Sequence, residues 1–323
     1  MATIWTMGEI LVEMMRPEAG MAFDHPGVFL GPYPSGAPAI FIDTVARLGH
    51  IGGIIGGVGA DDFGRCVLDR LQADGVDCRY VRQFPGRATA VAFVAYFANG
   101  SRKFIYHIDG TPAVMNTFDG IQAQPGAADY FHVMGCSLMA SDAFRVQIFR
   151  AVEAFSAAGA RISFDPNIRP ELLGERRLED VVGPVLERCA VLLPGTAELA
   201  LLSGAAESDP DQGAARLFQR YPLEVIVRKH GRKGCAVYTR EGLHMAVGAY
   251  RTTEMDPTGA GDCFDAAFLC AYSDGKPLAE CVNEAAAAGA LAAAAFGPME
   301  GNITPHMVRE VIDSYPRGEA PVI

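Results

Sequence analysis

The residues best suited to chemistry lie near the C-terminal end, in Asp256-Pro257-Thr258-Gly259-Ala260-Gly261-Asp262. The run passes directly into Cys263-Phe264-Asp265-Ala266-Ala267-Phe268-Leu269-Cys270-Ala271, with Phe264, Phe268 and Ala271 at i, i+4 and i+7, so a glycine turn opens a helix. Small residues at Gly259, Ala260 and Gly261 let backbone N–H groups approach an anion closely, and the helix N-terminus adds partial positive charge. Asp262, in the same turn, is placed to take a proton from a hydroxyl as that hydroxyl attacks a phosphoryl group. Asp is also favoured as an ordinary cap at helix N-termini. Spacing alone leaves both readings open.

Such a turn needs strands to hold it. Several β-rich runs end in turn residues and lead into helical patterns: 3–7 before Gly8, 130–134 before Gly135, 161–164 before Asp165-Pro166-Asn167, and 190–193 before Pro194-Gly195. Strands alternating with helices imply βαβ units and a mainly parallel sheet, with ligand-facing residues just after the strand ends. One stretch breaks the alternation: 89–97 and 102–108 are strand-like and flank Ala98-Asn99-Gly100-Ser101, a strong hairpin signal. With the extended, Pro- and Gly-punctuated segment from about 13 to 34, this hairpin (88–113) predicts an antiparallel β lid inserted in one α/β domain that spans 1–323. The apolar run 285–296 falls short of the ~20 residues a membrane span needs and reads as a buried, Ala-rich helix.

Half of the 323 residues are hydrophobic, and 27 basic against 38 acidic residues give a formal charge of −11. The acidic balance offers no general attraction to nucleic acid or anionic membranes, so a bound phosphate must be held by local geometry. Eight scattered cysteines form no CxxC pair, which suggests neither a zinc site nor a disulfide framework and fits a reducing, cytoplasmic setting. Glu9 and Glu13, without a basic start, argue against a signal peptide.

The glycine segment closely resembles the C-terminal signature of the ribokinase-like (PfkB) carbohydrate kinases. A second signature of that family is matched by Pro34-Ser35-Gly36-Ala37-Pro38-Ala39-Ile40-Phe41-Ile42-Asp43, and Gly57-Val58-Gly59-Ala60-Asp61-Asp62-Phe63-Gly64 resembles a third stretch. The resemblance covers nearly the whole chain. It implies a three-layer α/β/α fold and ATP- and Mg²⁺-dependent transfer of phosphate to a sugar hydroxyl, with Asp262 as catalytic base and Gly259, Ala260 and Gly261 as anion hole. For the sugar it implies Gly36, Ala37, Glu13 and Tyr106. Many members of the family carry a sugar-binding Asn where Ile40 stands here, and Asp43 is the candidate to substitute for it. For ATP the resemblance implies Lys229, Gly231 and Gly234 of a K-x-G-x-x-G stretch, together with Asn283 beside a small-residue helix that equally serves packing. Glu198 matches the acid of a metal-linked motif whose Asn is replaced by Gly195; a solvated first-turn carboxylate is the plainer alternative. Asp256 and Thr258 match positions that bind a monovalent cation such as K⁺.

For the acceptor, Asp165-Pro166-Asn167-Ile168-Arg169 resembles a segment of 2-keto-3-deoxygluconate kinases and fructokinases, which makes Arg169 a candidate substrate contact. Acid-sugar kinases carry a lid Arg where Ile108 stands, and the 35–43 segment looks like tagatose kinases. A ketohexose is therefore the expected substrate, 2-keto-3-deoxygluconate the alternative, and His107 faces either sugar or core. Two other classes compete: a dinucleotide-binding enzyme using Gly57-Val58-Gly59, at the wrong spacing, and a non-catalytic sugar or nucleotide sensor. Lid sheets with an exposed edge often pair between subunits, so a homodimer is expected.

Overall fold

The computed structural model describes residues 2–97, 101–119 and 129–321. Within them the strands are β1 (Thr3–Met7), β2 (Leu11–Met15), β3 (Leu30–Ser35), β4 (Ile51–Gly59), β5 (Asp77–Phe84), β6 (Ala90–Tyr96), β7 (Arg102–His107), β8 (Tyr130–Met134), β9 (Arg161–Asp165), β10 (Cys189–Leu192), β11 (Val225–Lys229), β12 (Cys235–Thr239) and β13 (Gly242–Val247). The helices are α1 (Ala37–Arg47), α2 (Asp62–Ala73), α3 (Gly135–Ala140), α4 (Asp142–Ala157), α5 (Pro170–Leu173), α6 (Leu178–Leu186), α7 (Thr196–Ser203), α8 (Pro210–Arg220), α9 (Ala260–Ser273), α10 (Leu278–Ala293) and α11 (Pro305–Ser314).

Nine strands form one sheet in the order β13-β12-β11-β10-β9-β8-β1-β4-β5. From β11 to β5 every pairing is parallel, and β12 and β13 close one edge as an antiparallel meander. Parallel strands covered on both faces need apolar side chains throughout, which is how β8 reads: all five of its residues are buried. One apolar core lies between the sheet and α1, α2, α9 and α10; a second lies between the sheet and α4, α6 and α8. This is the three-layer body that the family resemblance implies, built on the mainly parallel sheet expected from the alternating strands. The Ala-rich run is α10, whose Ala285, Ala287 and Ala288 are fully buried and bring it close against α9.

The lid is a separate sheet in the order β3-β2-β6-β7. It is mixed rather than purely antiparallel, because β2 and β6 pair in parallel. Each follows directly on a strand of the parallel sheet, β1 and β5, and so leaves the body in the same sense. The Asn99-Gly100 turn lies outside the described residues, but the amide of Phe97 donates to the carbonyl of Ser101 at 2.9 Å and closes the hairpin at its end. Gly57-Val58-Gly59 lies inside β4, paired to β5, rather than in a strand-to-helix turn, so no dinucleotide fingerprint forms. No helix among the described residues is long and apolar enough to cross a membrane.

Candidate active site

A cleft of about 230 Å³ opens between the inner face of the lid and the C-terminal ends of the parallel strands. The first turn of α9 forms part of its wall. Gly259 caps that helix in the left-handed conformation (φ 79°), and a Cβ there would come within 2.5 Å of the Pro298 carbonyl, so glycine is required. Asp262 is 8% exposed and lines the cleft, and its Oδ1 accepts a hydrogen bond from Asn167 Nδ2 at 3.3 Å. It caps no backbone amide of α9, which removes the plain capping alternative. Burial, followed by the charge of Asp165, pushes its pKa up to about 7, against the pull of Lys229 and Arg169.

Behind Asp262 lies a polar cluster that no single stretch of sequence reveals. Lys229 Nζ, at the end of β11, donates to Asp165 Oδ2 at 2.9 Å and to Asp265 Oδ2 at 2.7 Å. Asp165, at the end of β9, accepts at Oδ1 from the backbone amide of Asn167 at 3.0 Å. Burial is the largest single influence and disfavours its charge, but Lys229, the hydrogen bond with Asp265 and His132 together hold its carboxyl below the usual range. Asp265 goes the other way: burial dominates and raises it well above the usual range. Lys229 is itself held firmly protonated, because Asp165 and Asp265 outweigh the burial that would lower its pKa. Lys229 lines the cleft as expected, but its ammonium is engaged by two carboxylates rather than free for a nucleotide.

The opposite wall comes from the lid and the 34–40 segment. Ser35 Oγ donates to Glu13 Oε1 at 2.7 Å, while Glu13 Oε2 is buried with no partner. Burial raises Glu13 to about 7. Gly36 turns the chain at φ 107°, where a Cβ would meet the Glu9 carbonyl at 2.5 Å, and Ala37 starts α1. Gly36, Ala37 and Ile40 all line the cleft, so the atypical Ile40 does face it. Tyr106, Ile108 and Arg169 also line it. His107 alternates to the outer face of the lid, where its ring sits edge-on to Phe93 at 5.8 Å.

Two further lining residues carry little signal in the sequence. Glu9, buried, accepts from Ser137 Oγ and from Cys136 Sγ at 3.1 Å. Arg102, at the start of β7, enters the cleft and donates to Thr258 Oγ1 at 3.1 Å. Glu9 only follows a strand end, and Arg102 stands at a hairpin edge where solvated cations are common.

Other expected residues are placed elsewhere. Asp43 lies outside the cleft, facing Arg47 at 3.7 Å and Arg70 at 3.8 Å, so it does not stand in for the Asn that Ile40 replaces. Both arginines stand beyond hydrogen-bond distance, and neither oxygen of the buried Asp43 has a hydrogen-bond partner among the described residues. Asn283 also lies outside the cleft, its Oδ1 accepting from Arg317 of the C-terminal segment at 2.6 Å. Gly231 and Gly234 shape the β11–β12 turn, away from the cleft lining. Asp256 is fully buried below the lining, whereas Thr258 lines the cleft. Both oxygens of Glu198 accept backbone amides, from Ile168 at 2.8 Å and Gly195 at 2.6 Å, and the side chain faces the cleft rather than open solvent. Among the described residues no three metal-ligating side chains cluster. Magnesium arriving with nucleotide phosphates and its own waters needs only one or two carboxylates, and Glu198 fits that demand.

The chain matches the model of the "pfkB family carbohydrate kinase" over residues 30–305. Fructokinase-1 of Zea mays is 30% identical over 317 residues, covering 95% of this chain and 97% of the relative. The fructokinase of Salmonella typhimurium is 30% identical over 306 residues, covering 92% and 95%. Among solved structures, an Escherichia coli chain in complex with ATP and Mg²⁺ is 37% identical with a TM-score of 0.86, covering 97% and 99%. The fructokinase of Xylella fastidiosa with bound ATP is 26% identical with a TM-score of 0.82, covering 96% and 98%. A fold, two glycine signatures and an acid at the helix mouth thus agree with matches along nearly the full length, and the chain belongs to the pfkB family of carbohydrate kinases.

Proposed function

We propose that this sugar kinase transfers the γ-phosphoryl group of ATP to a hydroxyl of a ketohexose, with Asp262 as the base. The observation that carries the reading is the buried carboxylate of Asp262, set in the first turn of α9 and facing Glu13 across a lid-covered cleft. The acceptor hydroxyl gives its proton to Asp262 as its oxygen forms a bond to the γ-phosphorus, and the bond from that phosphorus to the bridging oxygen of ADP breaks. Amides of the 259–261 turn meet the charge that develops on the transferred group. Magnesium supplies further charge neutralisation on the phosphates, with Glu198 as the side chain that would hold its waters. Asp256 and Thr258 are the residues that would hold a potassium ion.

At the acceptor end, Glu13 Oε2 and Tyr106 offer hydrogen bonds to sugar hydroxyls, Gly36 and Ala37 leave room for the ring, and Arg169 adds a cation. ATP as donor is supported by the ATP-bound neighbours, and a ketohexose by the fructokinase relatives and by apolar Ile108 in the lid. Arg102 favours a second reading, an acid sugar such as 2-keto-3-deoxygluconate, because it brings a cation into the same cleft. A coupled ADP-release assay over fructose, tagatose, ribose, nucleosides and 2-keto-3-deoxygluconate separates them. The ketohexoses are expected to give the highest kcat/KM; preference for the acid sugar would overturn the ketohexose, and no turnover with any acceptor would favour a sensor.

A cytoplasmic homodimer completes the reading. Its support is the outer face of the lid, where Ile105 is 39% and Val28 58% exposed. Light scattering behind size exclusion is expected to give twice the chain mass.

A further inference from the structure

Asn167 is the one described residue outside glycine with a left-handed backbone, at φ 37°. An Asn tolerates that conformation but does not require it, so its presence in a buried turn calls for a reason in the side chain. The carboxamide is wedged between two carboxylates: Nδ2 lies 3.3 Å from Asp165 Oδ2 and 3.3 Å from Asp262 Oδ1. Facing two acceptors, the nitrogen end of the amide must point inward, which fixes its orientation. Oδ1 is then buried with no donor among the described residues.

The contacts run in a ring. Asp262 accepts from Asn167; Asn167 donates to Asp165 from both its backbone and its side chain; Asp165 and Asp265 share the Lys229 ammonium. Asp265 then returns to Asp262 one helical turn along α9. Three separate chain segments, the ends of β9 and β11 and the mouth of α9, are thereby locked to one another. Lys229 fixes Asp165, Asp165 imposes the left-handed turn, and the turn delivers one N–H to one oxygen of Asp262. Among the described residues no donor reaches the other oxygen, Oδ2.

We propose that Asn167 is the positioning residue for the base, committing Oδ1 of Asp262 to the ring and leaving Oδ2 to receive the acceptor proton, with Lys229 as the anchor of that arrangement. The inference rests on Asp262 being the base. It gives Lys229 a role different from nucleotide binding and explains why the Asp165-Pro166-Asn167 turn sits beside the cleft. A donor on a carboxylate favours its charged form, so removing the Asn167 carboxamide should move the titration of the base upward. The other charged groups facing Asp262 are Asp165 and Lys229 from the sheet, Arg169 from the turn before α5, and Glu9 from the β1–β2 connection.

Two variants separate the amide from the backbone. Asn167→Gly accepts the left-handed conformation without strain and removes only the carboxamide. Asn167→Asp keeps the size and replaces the donor by an anion beside Asp262. Both are assayed for ATP-dependent phosphorylation of fructose or tagatose, whichever the wild type turns over faster, across pH 5–9, alongside Asp262→Asn and with thermal melts. Expected are a fall in kcat on the order of 10- to 100-fold with KM for ATP within about 3-fold of wild type, and an acid limb of kcat moved to higher pH, further for Asp than for Gly. A merely structural role would lower the melting temperature without moving that limb. Wild-type kcat and pH profile in both folded variants, with Asp262→Asn inactive, would overturn the proposal. An Asp262→Asn enzyme with near-normal turnover would overturn the base assignment beneath it.

Discussion

The hydroxyl of Tyr96, on the lid strand β6, donates to Oδ1 of Asp256 at 2.9 Å, on the loop that leads into the Asp262 turn. Asp256 is fully buried and also accepts the amides of Thr258 at 3.0 Å and Gly297 at 3.1 Å. With Arg102 on Thr258, this latch ties the tip of the lid to the glycine segment. Removing the hydroxyl leaves a buried carboxylate one donor short, a loss of about 1–3 kcal/mol. Tyr96→Phe should therefore melt at a lower temperature and bind the sugar more weakly, with KM for the acceptor rising more than kcat falls. Unchanged melting and KM would show that the lid is held by its own strands alone.

Asp262→Asn keeps the shape of the first turn of α9 and its glycine amides but removes the proton acceptor. Turnover should fall by about 10²- to 10⁴-fold, the usual worth of a positioned base. ATP affinity measured by calorimetry should stay near wild type, because the carboxylate would otherwise repel the phosphates rather than hold them. A variant that loses ATP binding in parallel with turnover would place Asp262 in nucleotide binding instead.

Burial lifts Asp262 to about 7, and only its ionised form can accept the proton. Below that pH the active fraction falls tenfold per unit, so the acid limb of kcat/KM for the free enzyme should have its midpoint near neutrality. An ordinary carboxylate would place it near 4. Glu13, also lifted to about 7 by burial, contributes to the same limb through sugar binding, and Glu13→Gln should leave the limb in kcat while raising KM for the sugar.

Much of this is legible in the sequence. The strand ends at Met7 and Met134 are readable from turn residues, the third strand runs one residue beyond its expected end to Asp165, and the glycine signatures locate Gly36 and Asp262 because only small residues pass those close approaches. What stays hidden depends on partners distant in the chain. Asn167 and Asp262 are 95 positions apart, and Asp165 and Lys229 are 64 apart, so no local pattern announces that they meet. Asp43 misleads for the same reason: its helix position points to the sugar, but Arg70 from α2 sits beside it. Nor does the sequence around Asn283 announce that Arg317, from the C-terminal segment, donates to its side chain.

Asp43 offers a test of that correction. Burial raises its pKa to about 8, against the charge of Arg70 and with the help of Asp74. Its folded-state pKa lies above the unfolded value near 4, so the folded chain binds the proton more tightly. The stability from this group is full at low pH and is lost as pH rises through about 8. Asp43→Asn imitates the neutral form, so it should melt close to wild type below about pH 4, where the group is protonated in both states, and increasingly above it as the pH rises towards 9. Its kinetic constants should match wild type, since it lies outside the cleft; a raised KM for the sugar would return Asp43 to the acceptor site.

Lys229 separates a buried ion cluster from a surface one. Its ammonium neutralises Asp165 and donates to Asp265, both almost completely buried, whereas Arg232 pairs bidentately with Glu254 from a side chain that is 79% exposed. Removing the surface partner by Arg232→Ala frees groups that water can solvate, and the melting temperature should hardly move. Lys229→Met leaves the charged Asp165 in the interior without its cation, a penalty of about 3–5 kcal/mol unless it takes up a proton. The variant should therefore be markedly less stable at pH 8 and recover part of the loss at pH 5.5, where Asp165 can be protonated. Equal loss at both pH values would mean that packing of the lysine stem, rather than its charge, holds the ends of β9 and β11 to α9.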